Sequence, residues 1–167
     1  MPAIDVNKLY EMAGPKAPDL GEELYRLNCF LRNNFEIDEF LSDENIDLKN
    51  RQSVLAEVCA DFSTLGKEFA GLLLAEGLWR HIHAIIARLL TLIEEKNPVR
   101  YAELRSAFPL DKPELTQIVR KFGKDVRYRI VEDERLLGGF TLKFHNGQHL
   151  DASVRGELEK MKMEISA

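Results

Sequence analysis

Four histidines are the side chains of this sequence that could most directly bind a metal ion. His81 and His83 stand two residues apart, and on a helix this spacing directs side chains about 200° away from each other. A helical metal pair needs a spacing of three or four residues. His145 and His149 flank an Asn-Gly pair and could face each other across a turn, but no cysteine and no third well-placed ligand stands nearby. The spacing favours structural histidines, and we predict no metal site.

Other residues with reactive or binding potential also lack the neighbours that chemistry requires. Gly138-Gly139 precedes an alternating strand pattern and has no Lys-Ser or Lys-Thr after it, so it does not predict a phosphate loop. Carboxylates at residues 132–134 fit a solvated turn better than an acid-base pair. Ser153 has no nucleophile-elbow context and instead fits the cap of a helix. We therefore predict no catalytic residue and no cofactor, which favours a binding role.

The composition and net charge limit which class of molecule the protein is expected to bind. The 167 residues carry a net charge of −5, with 45% hydrophobic and 31% charged residues, as in ordinary soluble proteins. An acidic balance argues against a nucleic-acid binder, which normally has a basic face. The most apolar run, residues 82–93, contains His83 and Arg88 and is too short to span a bilayer, so we expect no direct membrane insertion. The opening MPAIDVNKLYEM has no basic, apolar leader, and we expect neither a signal nor a transit peptide.

The first 97 residues have the apolar spacing that is typical of helices. Gly14-Pro15 ends the first helix, Pro18 is expected to keep the following link extended, and Gly77 interrupts the pattern again. The predicted helices cover residues 6–13, about 20–34, 38–41, about 48–62, 65–75 and 79–96. The sequence therefore predicts an N-terminal six-helix bundle.

Asn97-Pro98 marks a change of pattern, because the residue before a proline avoids the α region. Residues 99–108 predict a strand, Asp111 and Glu114 predict a capping box, and Gly123 is expected to end the helix that follows. A second strand is predicted over residues 126–130. We therefore expect a domain boundary near residue 97.

The last segment predicts a hairpin and a capped helix. Phe140, Leu142 and Phe144 alternate with polar residues, and Asn146-Gly147 tolerates the positive φ of a tight turn. After Ser153, the apolar residues recur at helical spacing as Val154, Leu158 and Met161. The predicted fold is thus mostly α, with the six-helix bundle (residues 1–97) followed by a small α+β domain (residues 98–167).

Two features of the bundle leave alternatives open. The helix at residues 65–75 is apolar around most of its circumference, so it is either central in the bundle or covered by a partner. Trp79 is either a core residue or an interface anchor.

The C-terminal motif carries a family resemblance. A double glycine opening a strand, a short hairpin, and the run Asp-x-Ser-Val-Arg-Gly-x-Leu resemble the delta subunit of F-type ATP synthases, whose mitochondrial version is the oligomycin-sensitivity-conferring protein. The segment ELRSAFPLDKPEL extends the resemblance, which covers essentially the whole chain. The matching motif residues, stalk-binding or structural in role, are Gly138, Gly139, Asp151, Ser153, Arg155, Gly156 and Leu158.

The resemblance implies a non-catalytic stator subunit of a proton- or sodium-translocating synthase. By the family's pattern, the bundle receives the N-terminal helix of the synthase α subunit, and the C-terminal domain holds the C-terminal region of the b subunits. The protein would then be peripheral, at the cytoplasmic face of a bacterial cell membrane. The α-subunit groove would lie between the first and fifth helices, on Leu9, Tyr10, Phe69, Leu72 and Leu73.

Two other classes of function compete with this interpretation. One is a protein-interaction adaptor of the same fold outside the synthase, which its gene neighbourhood would separate from a stator subunit. The other is a small metal-dependent enzyme that uses His145, His149 and nearby carboxylates, for which metal content is the test.

Overall fold

The computed structural model of the chain describes residues 4–122 and 125–166. The chain divides into two units, Met1–Asn97 and Pro98–Ala167. The division falls at Asn97-Pro98, where the apolar spacing changes. Eight α-helices and four strands lie in the described part of the chain. The prediction of a mostly α fold with a small α+β C-terminal part is confirmed.

Six helices form the first unit. Their boundaries follow local chemistry: the Asp5 carboxylate accepts hydrogen bonds from the N–H groups of Asn7 (3.0 Å) and Lys8 (3.4 Å) and so caps the first helix. Gly77, at φ +71°, follows the fifth helix in a conformation that glycine adopts without strain. The helices are α1 (Val6–Ala13), α2 (Ala17–Asn33), α3 (Phe35–Ser42), α4 (Leu48–Val58), α5 (Thr64–Ala75) and α6 (Ile82–Lys96).

The connection between α1 and α2 differs from the prediction. Instead of an extended link at Pro18, a 3-10 turn at Gly14–Lys16 leads directly into α2, which already begins at Ala17. Pro18 therefore lies in the first helical turn, where a residue needs no backbone N–H and the fixed φ of proline suits the helix. The expected extended link is wrong because proline can start a helix as well as prevent one.

The core of the first unit joins the apolar stripes of two long helices. Helices α2 and α6 pack against each other, and α1 packs on α6. The apolar residues at helical spacing are buried: Leu20, Leu24, Leu27 and Leu31 on α2, and Ile82, Ile86, Leu89 and Ile93 on α6. Burying one such side chain stabilises a fold by about 1.5–3 kcal/mol, so these stripes dominate the stability of the unit.

A four-stranded sheet forms the second unit. Its order is β2-β1-β3-β4, with β1 parallel to β2 and antiparallel to β3, and with β3 antiparallel to β4. The strands are β1 (Arg100–Ser106), β2 (Val126–Glu132), β3 (Gly139–Phe144) and β4 (His149–Ser153). Helix α7 (Lys112–Arg120) connects the two parallel strands, and α8 (Val154–Ser166) follows β4.

Turn and cap residues place these elements as the sequence predicts. The Asp111 carboxylate accepts from the N–H of Glu114 (2.9 Å), and the Glu114 carboxylate accepts from the N–H of Asp111 (3.1 Å), which confirms the capping box. Gly147, in the turn between β3 and β4, has φ +89°. Gly123, the predicted helix end, lies outside the described residues. The core of the unit consists of Ala102, Leu104, Leu115, Val126, Leu142 and Phe144.

Candidate docking surfaces

The residues of α1 that the resemblance assigns to a groove lie half-buried near the end of α6. The Tyr10 hydroxyl accepts a hydrogen bond from Asn97 Nδ2 at 3.1 Å. Lys96 Nζ lies 4.7 Å from the centre of the Tyr10 ring, a cation–π contact. Leu9 is also half-buried. Tyr10 thus attaches α1 to the C-terminal end of α6 and keeps part of its ring at the surface.

The three groove candidates on α5 differ sharply in exposure. Phe69 is 7% exposed and Leu73 is 2% exposed, so both belong to the core of the first unit. Leu72, between them, is 47% exposed. Of these three side chains, Leu72 alone offers much of its apolar surface for contact with another molecule. The face of α5 that carries Phe69 and Leu73 is central in the bundle, and coverage of the Leu72 face by a partner stays a prediction.

A carboxylate from α2 holds the N-terminal end of α5. Glu23 Oε1 accepts from the N–H of Ser63 (2.6 Å), and Glu23 Oε2 accepts from the Ser63 hydroxyl (2.9 Å). The Ser63 Oγ in turn accepts from the N–H of Gly66 (3.1 Å). A Cβ atom at Gly66 would overlap Glu23 Oε2, so the glycine allows this close approach. The arrangement fixes the orientation of α5 and thereby of Leu72.

His83 belongs to a polar cluster of the bundle. Its Nδ1 lies 2.5 Å from Asn28 Oδ1 and its Nε2 lies 2.8 Å from Asp38 Oδ2. The Trp79 indole N–H donates to Asp38 Oδ1 at 3.2 Å. Trp79 is buried, so the core alternative holds for this residue. The cluster joins α2, α3 and the start of α6.

A concave surface of the first unit lies between α1 and α6. It encloses about 380 Å³ and is open to solvent. Its walls combine apolar side chains with one charge of each sign, and are formed by Val6, Asn7, Ala87, Arg88, Thr91, Leu92 and Glu95. No sequence motif singles out this surface, because it arises from the packing of two helices that are distant in the chain.

Two glycines of the C-terminal motif shape the turn before β3. Gly139 has φ +71°, and a Cβ atom there would overlap the Ala152 carbonyl oxygen on β4. The Gly138 carbonyl accepts from the N–H of Val154 at 3.0 Å, which ties this turn to the first residue of α8. Both glycines therefore have structural roles.

Three further motif residues lock β4 to α8. Asp151 Oδ1 accepts from the Ser153 hydroxyl (2.6 Å) and from the Ser153 N–H (3.0 Å), and Ser153 Oγ accepts from the N–H of Gly156 (3.0 Å). A Cβ atom at Gly156 would overlap the Asp151 carboxylate. Hydrogen bonds from the side chain and then from the backbone of Ser153 lower the pKa of Asp151, because they favour its charged form. The predicted capping role of Ser153 is confirmed.

The remaining motif residues, Arg155 and Leu158, are exposed. Arg155 Nε lies 3.1 Å from Glu159 Oε1 in an exposed pair along α8. Leu158 is exposed, together with three other apolar residues at steps of four, three and four. We name these residues the α8 stripe: Val154, Leu158, Met161 and Ile165, which are between 45% and 87% exposed. On a solvent-facing helix, such a stripe marks a surface that another molecule can cover.

The sheet face opposite α7 carries a chain of ion pairs. Arg105 Nε lies 2.6 Å from Glu103 Oε1, and Arg105 Nη1 lies 3.4 Å from Asp133 Oδ2. The hydrogen bond with Glu103 raises the pKa of Arg105. Asp133 Oδ1 also accepts from Arg135 Nε at 2.8 Å, and this bond is the largest of the effects that lower the pKa of Asp133 to about 2. Arg105 and Asp133 therefore stay charged at neutral pH.

Neither a metal-binding cluster nor a membrane-spanning helix is found in the described part of the chain. Residues 4–122 and 125–166 contain no group of three or more His, Cys, Asp or Glu side chains arranged to hold a metal ion. Within the same residues, no helix has both the length and the apolar character needed to cross a bilayer.

A six-helix bundle, followed by a four-stranded sheet with an exposed amphipathic helix, defines the class of fold: mostly α, in two units. The family model described as ATP synthase delta (OSCP) subunit matches residues 9–165. The chain therefore belongs to the ATP synthase delta (OSCP) subunit family, and the resemblance predicted from the motifs is confirmed.

Individual relatives agree with this assignment. ATP synthase subunit delta of Christiangramia forsetii is 28% identical over 153 residues, which cover 89% of this chain and 83% of the relative. The corresponding protein of Flavobacterium johnsoniae is 27% identical, and the match covers 90% of this chain and 86% of that relative. A chain in the cryo-EM structure of the Toxoplasma gondii mitochondrial ATP synthase hexamer shares the fold, with a TM-score of 0.56, 18% identity and coverage of 97% of this chain and 95% of that chain.

Proposed function

We propose that this protein is a peripheral-stalk subunit of a proton- or sodium-translocating F-type ATP synthase that links the catalytic head to the b-subunit stalk. The observation that carries the proposal is the family match, which runs through both units from residue 9 to residue 165. The role is mechanical and requires no turnover at this chain. It places the protein at the cytoplasmic face of a bacterial membrane, held there by other subunits.

The first unit is proposed to receive the N-terminal helix of the synthase α subunit. Helix-in-groove docking needs apolar anchors on a rigid surface. Leu72 is such an anchor, and the bonds between Glu23 and Ser63 hold its helix in place. Half-buried Leu9 and Tyr10 supply additional contact on α1. In this proposal Phe69 and Leu73 support the groove from beneath.

The second unit is proposed to bind the C-terminal region of the b subunits through the α8 stripe. Each half-exposed stripe side chain that a partner helix covers contributes about 1 kcal/mol. Four such side chains together correspond to roughly a thousandfold in affinity. Because the two units bind different partners of one assembly, their contacts act together and strengthen the whole link.

A pair of methionines on α8 provides a matched test. Met161 lies on the stripe, whereas Met163 is 75% exposed and points to the opposite side of the helix. We expect Met161→Asp to weaken binding of a soluble b-subunit dimer at least tenfold, and Met163→Asp to leave binding unchanged. Isothermal titration calorimetry with the purified chain measures both.

A complementary pull-down uses the synthase α and b subunits as prey and the unaltered chain as bait. Recovery of both subunits supports the proposal. If neither subunit is recovered, or if Met161→Asp and Met163→Asp weaken b binding equally, the proposed division of contacts is wrong.

A further inference from the structure

Strand β2 is an edge of the sheet, and its outer backbone groups are available. The N–H of Arg100 donates to the Asp125 carbonyl (2.9 Å), and the N–H of Asp133 donates to the Ser106 carbonyl (2.8 Å). Alternate residues of a parallel strand bond to the same neighbour. These two bonds therefore show that the odd-numbered residues of β2 direct their backbone groups towards β1. Outward-directed N–H and C=O groups therefore belong to Val126, Tyr128, Ile130 and Glu132.

The two faces of β2 differ in chemistry. Val126 belongs to the core beneath α7, Tyr128 packs partly against it, and Ile130, on the same face, is 45% exposed. Arg127 and Arg129 occupy the other face. A strand placed beside β2 would thus meet apolar surface on one face and cationic surface on the other.

Arg129 has binding capacity that the second unit does not use. Its Nη1 is enclosed and has no hydrogen-bond partner among the described residues. The distance from Nη1 to Glu103 Oε2 is 3.9 Å, and Glu103 already binds Arg105 at 2.6 Å. The Arg129 side chain as a whole remains 28% exposed. A carboxylate that approaches along the outer edge would find a cation that is only weakly neutralised.

We propose that an extended, acidic segment of a partner protein adds to β2 as a fifth strand. Its backbone pairs with Val126, Tyr128, Ile130 and Glu132, an apolar side chain covers Ile130, and a carboxylate lies opposite Arg129. This mode is β-augmentation, in which main-chain bonds give affinity and alternate side chains give specificity. It is separate from docking at the α8 stripe, which suits a helix, and does not depend on the proposed stalk function.

The positive charges on β2 argue against a second copy of this chain as the fifth strand. An antiparallel pairing that includes all seven residues of β2 is centred on Arg129 and places this residue against its own counterpart. Like charges directly opposite each other destabilise strand pairs, whereas a carboxylate in the same position stabilises them.

The test uses a short acetylated peptide of alternating Val and Glu, added to the intact, isotope-labelled chain. Amide hydrogen exchange measured by NMR should slow at the four outward-directed amides of β2. The amides of Arg127 and Arg129 already belong to the ladder with β1 and should change little. A peptide with Lys in place of Glu should bind at least about fivefold more weakly, because it opposes Arg129 with a like charge.

Ile130→Pro provides the decisive variant, with Ile130→Val as its control. The Ile130 N–H points outward, so proline removes an outer donor without breaking the ladder, as edge positions allow. We expect Ile130→Pro to abolish peptide binding and Ile130→Val to retain it. Arg129→Glu, which leaves the backbone intact, should weaken binding about fivefold even if the proline variant proves unstable by circular dichroism.

Several outcomes would overturn the proposal. Absence of saturable binding excludes the acidic strand, and equal affinity for the Lys peptide removes the role of Arg129. If the peptide slows amide hydrogen exchange only in α8, the peptide binds at α8 and not at β2. Concentration-dependent self-association of the chain that Ile130→Pro removes would identify a second copy as the occupant instead.

Discussion

The two units place their candidate docking residues in different relations to their cores. In the first unit, Phe69 and Leu73 are core residues, and Leu72 on the same helix is exposed. In the second unit, the α8 stripe is exposed throughout, and a separate set of glycines, Asp151 and Ser153 holds α8 in place. In the proposed binding mode, folding and binding depend on adjacent residues of one helix in the first unit, and on separate sets of residues in the second.

This difference decides how mutations can be interpreted. A change on α5 affects stability or affinity according to which side of the helix it strikes, so neighbouring positions must be compared. A change on the α8 stripe should affect affinity alone, and a change at the junction of β4 and α8 should affect the placement of the helix.

Removal of the whole second unit has the largest expected effect. A fragment of residues 1–97 retains the stripes of α2 and α6 and the contacts of Asn97 and Lys96 with Tyr10. We expect it to fold as a helical bundle, to bind an α-subunit N-terminal peptide and to lose b binding entirely. Circular dichroism and calorimetry with both partners check this. An unfolded fragment, or one that binds b as tightly as the intact chain, contradicts the division of labour.

Substitutions at neighbouring positions of α5 have the next largest expected effect. Phe69→Asp places a carboxylate in the core and should lower the free energy of unfolding by at least about 4 kcal/mol, which is a large part of the stability of a small domain. Leu72→Asp should change it by less than about 1 kcal/mol. We expect the second variant to weaken α-peptide binding tenfold or more while keeping its helicity. Urea unfolding and peptide titration distinguish the two variants.

The contrast on α5 has a clear point of failure. If Leu72→Asp leaves α-peptide affinity unchanged in a folded protein, Leu72 does not belong to the groove. The depression between α1 and α6, lined in part by Ala87 and Leu92, would then be the next surface to mutate.

Two glycines that lie in helices, one at the junction of β4 and α8 and one on α5, allow a matched comparison of the effect of an added methyl group. A methyl group at Gly156 overlaps the Asp151 carboxylate, so Gly156→Ala should destabilise the second unit by about 1–3 kcal/mol. At Gly71, on α5, a methyl group would meet no atom within 4 Å, and Gly71→Ala should be neutral or stabilising by up to about 1 kcal/mol. Thermal unfolding of each variant measures these changes in stability. Equal destabilisation by the two substitutions would contradict the structural role of Gly156 where β4 meets α8.

The smallest expected effect concerns pH. Asp133 has a pKa of about 2 in the folded chain, below its ordinary value of 3.8. A lowered pKa stabilises the fold above the unfolded-state pKa, and this stabilisation is lost as the pH falls from about 4 to about 2. Asp133→Asn should therefore flatten the pH dependence of unfolding in this range. The midpoints of urea unfolding of both proteins, measured between about pH 2 and pH 5, test this expectation. An identical pH dependence in the unaltered chain and the variant would contradict the prediction.

Local rules explain which parts of the fold the sequence predicts. The capping box of Asp111 and Glu114 and the turn at Asn146-Gly147 involve residues close in the chain, and their chemistry leaves one favourable conformation. The prediction at Pro18 is wrong because the fixed φ of proline is compatible with both an extended link and a first helical turn.

Contacts between distant segments explain what the sequence does not predict. His83 meets Asp38 and Asn28 from positions 45 and 55 residues away, and Glu23 meets Ser63 across 40 residues. Leu72 and Leu73 have the same side chain, so only the packing of α5 decides which one is exposed. The motifs indicate the family, but only the three-dimensional contacts separate buried Ser153 and Gly156 from exposed Arg155 and Leu158.

The position of β1 in the sheet has a consequence for the order of events during synthesis. The strand emerges early in the second unit, but its neighbours β2 and β3 end only at residues 132 and 144. Domains generally fold as units while the chain grows from its N-terminus. The bundle is complete at residue 97, whereas β1 must wait for both neighbours. Nascent chains that pause before residue 144 therefore expose an unpaired edge of β1 after the bundle has already formed.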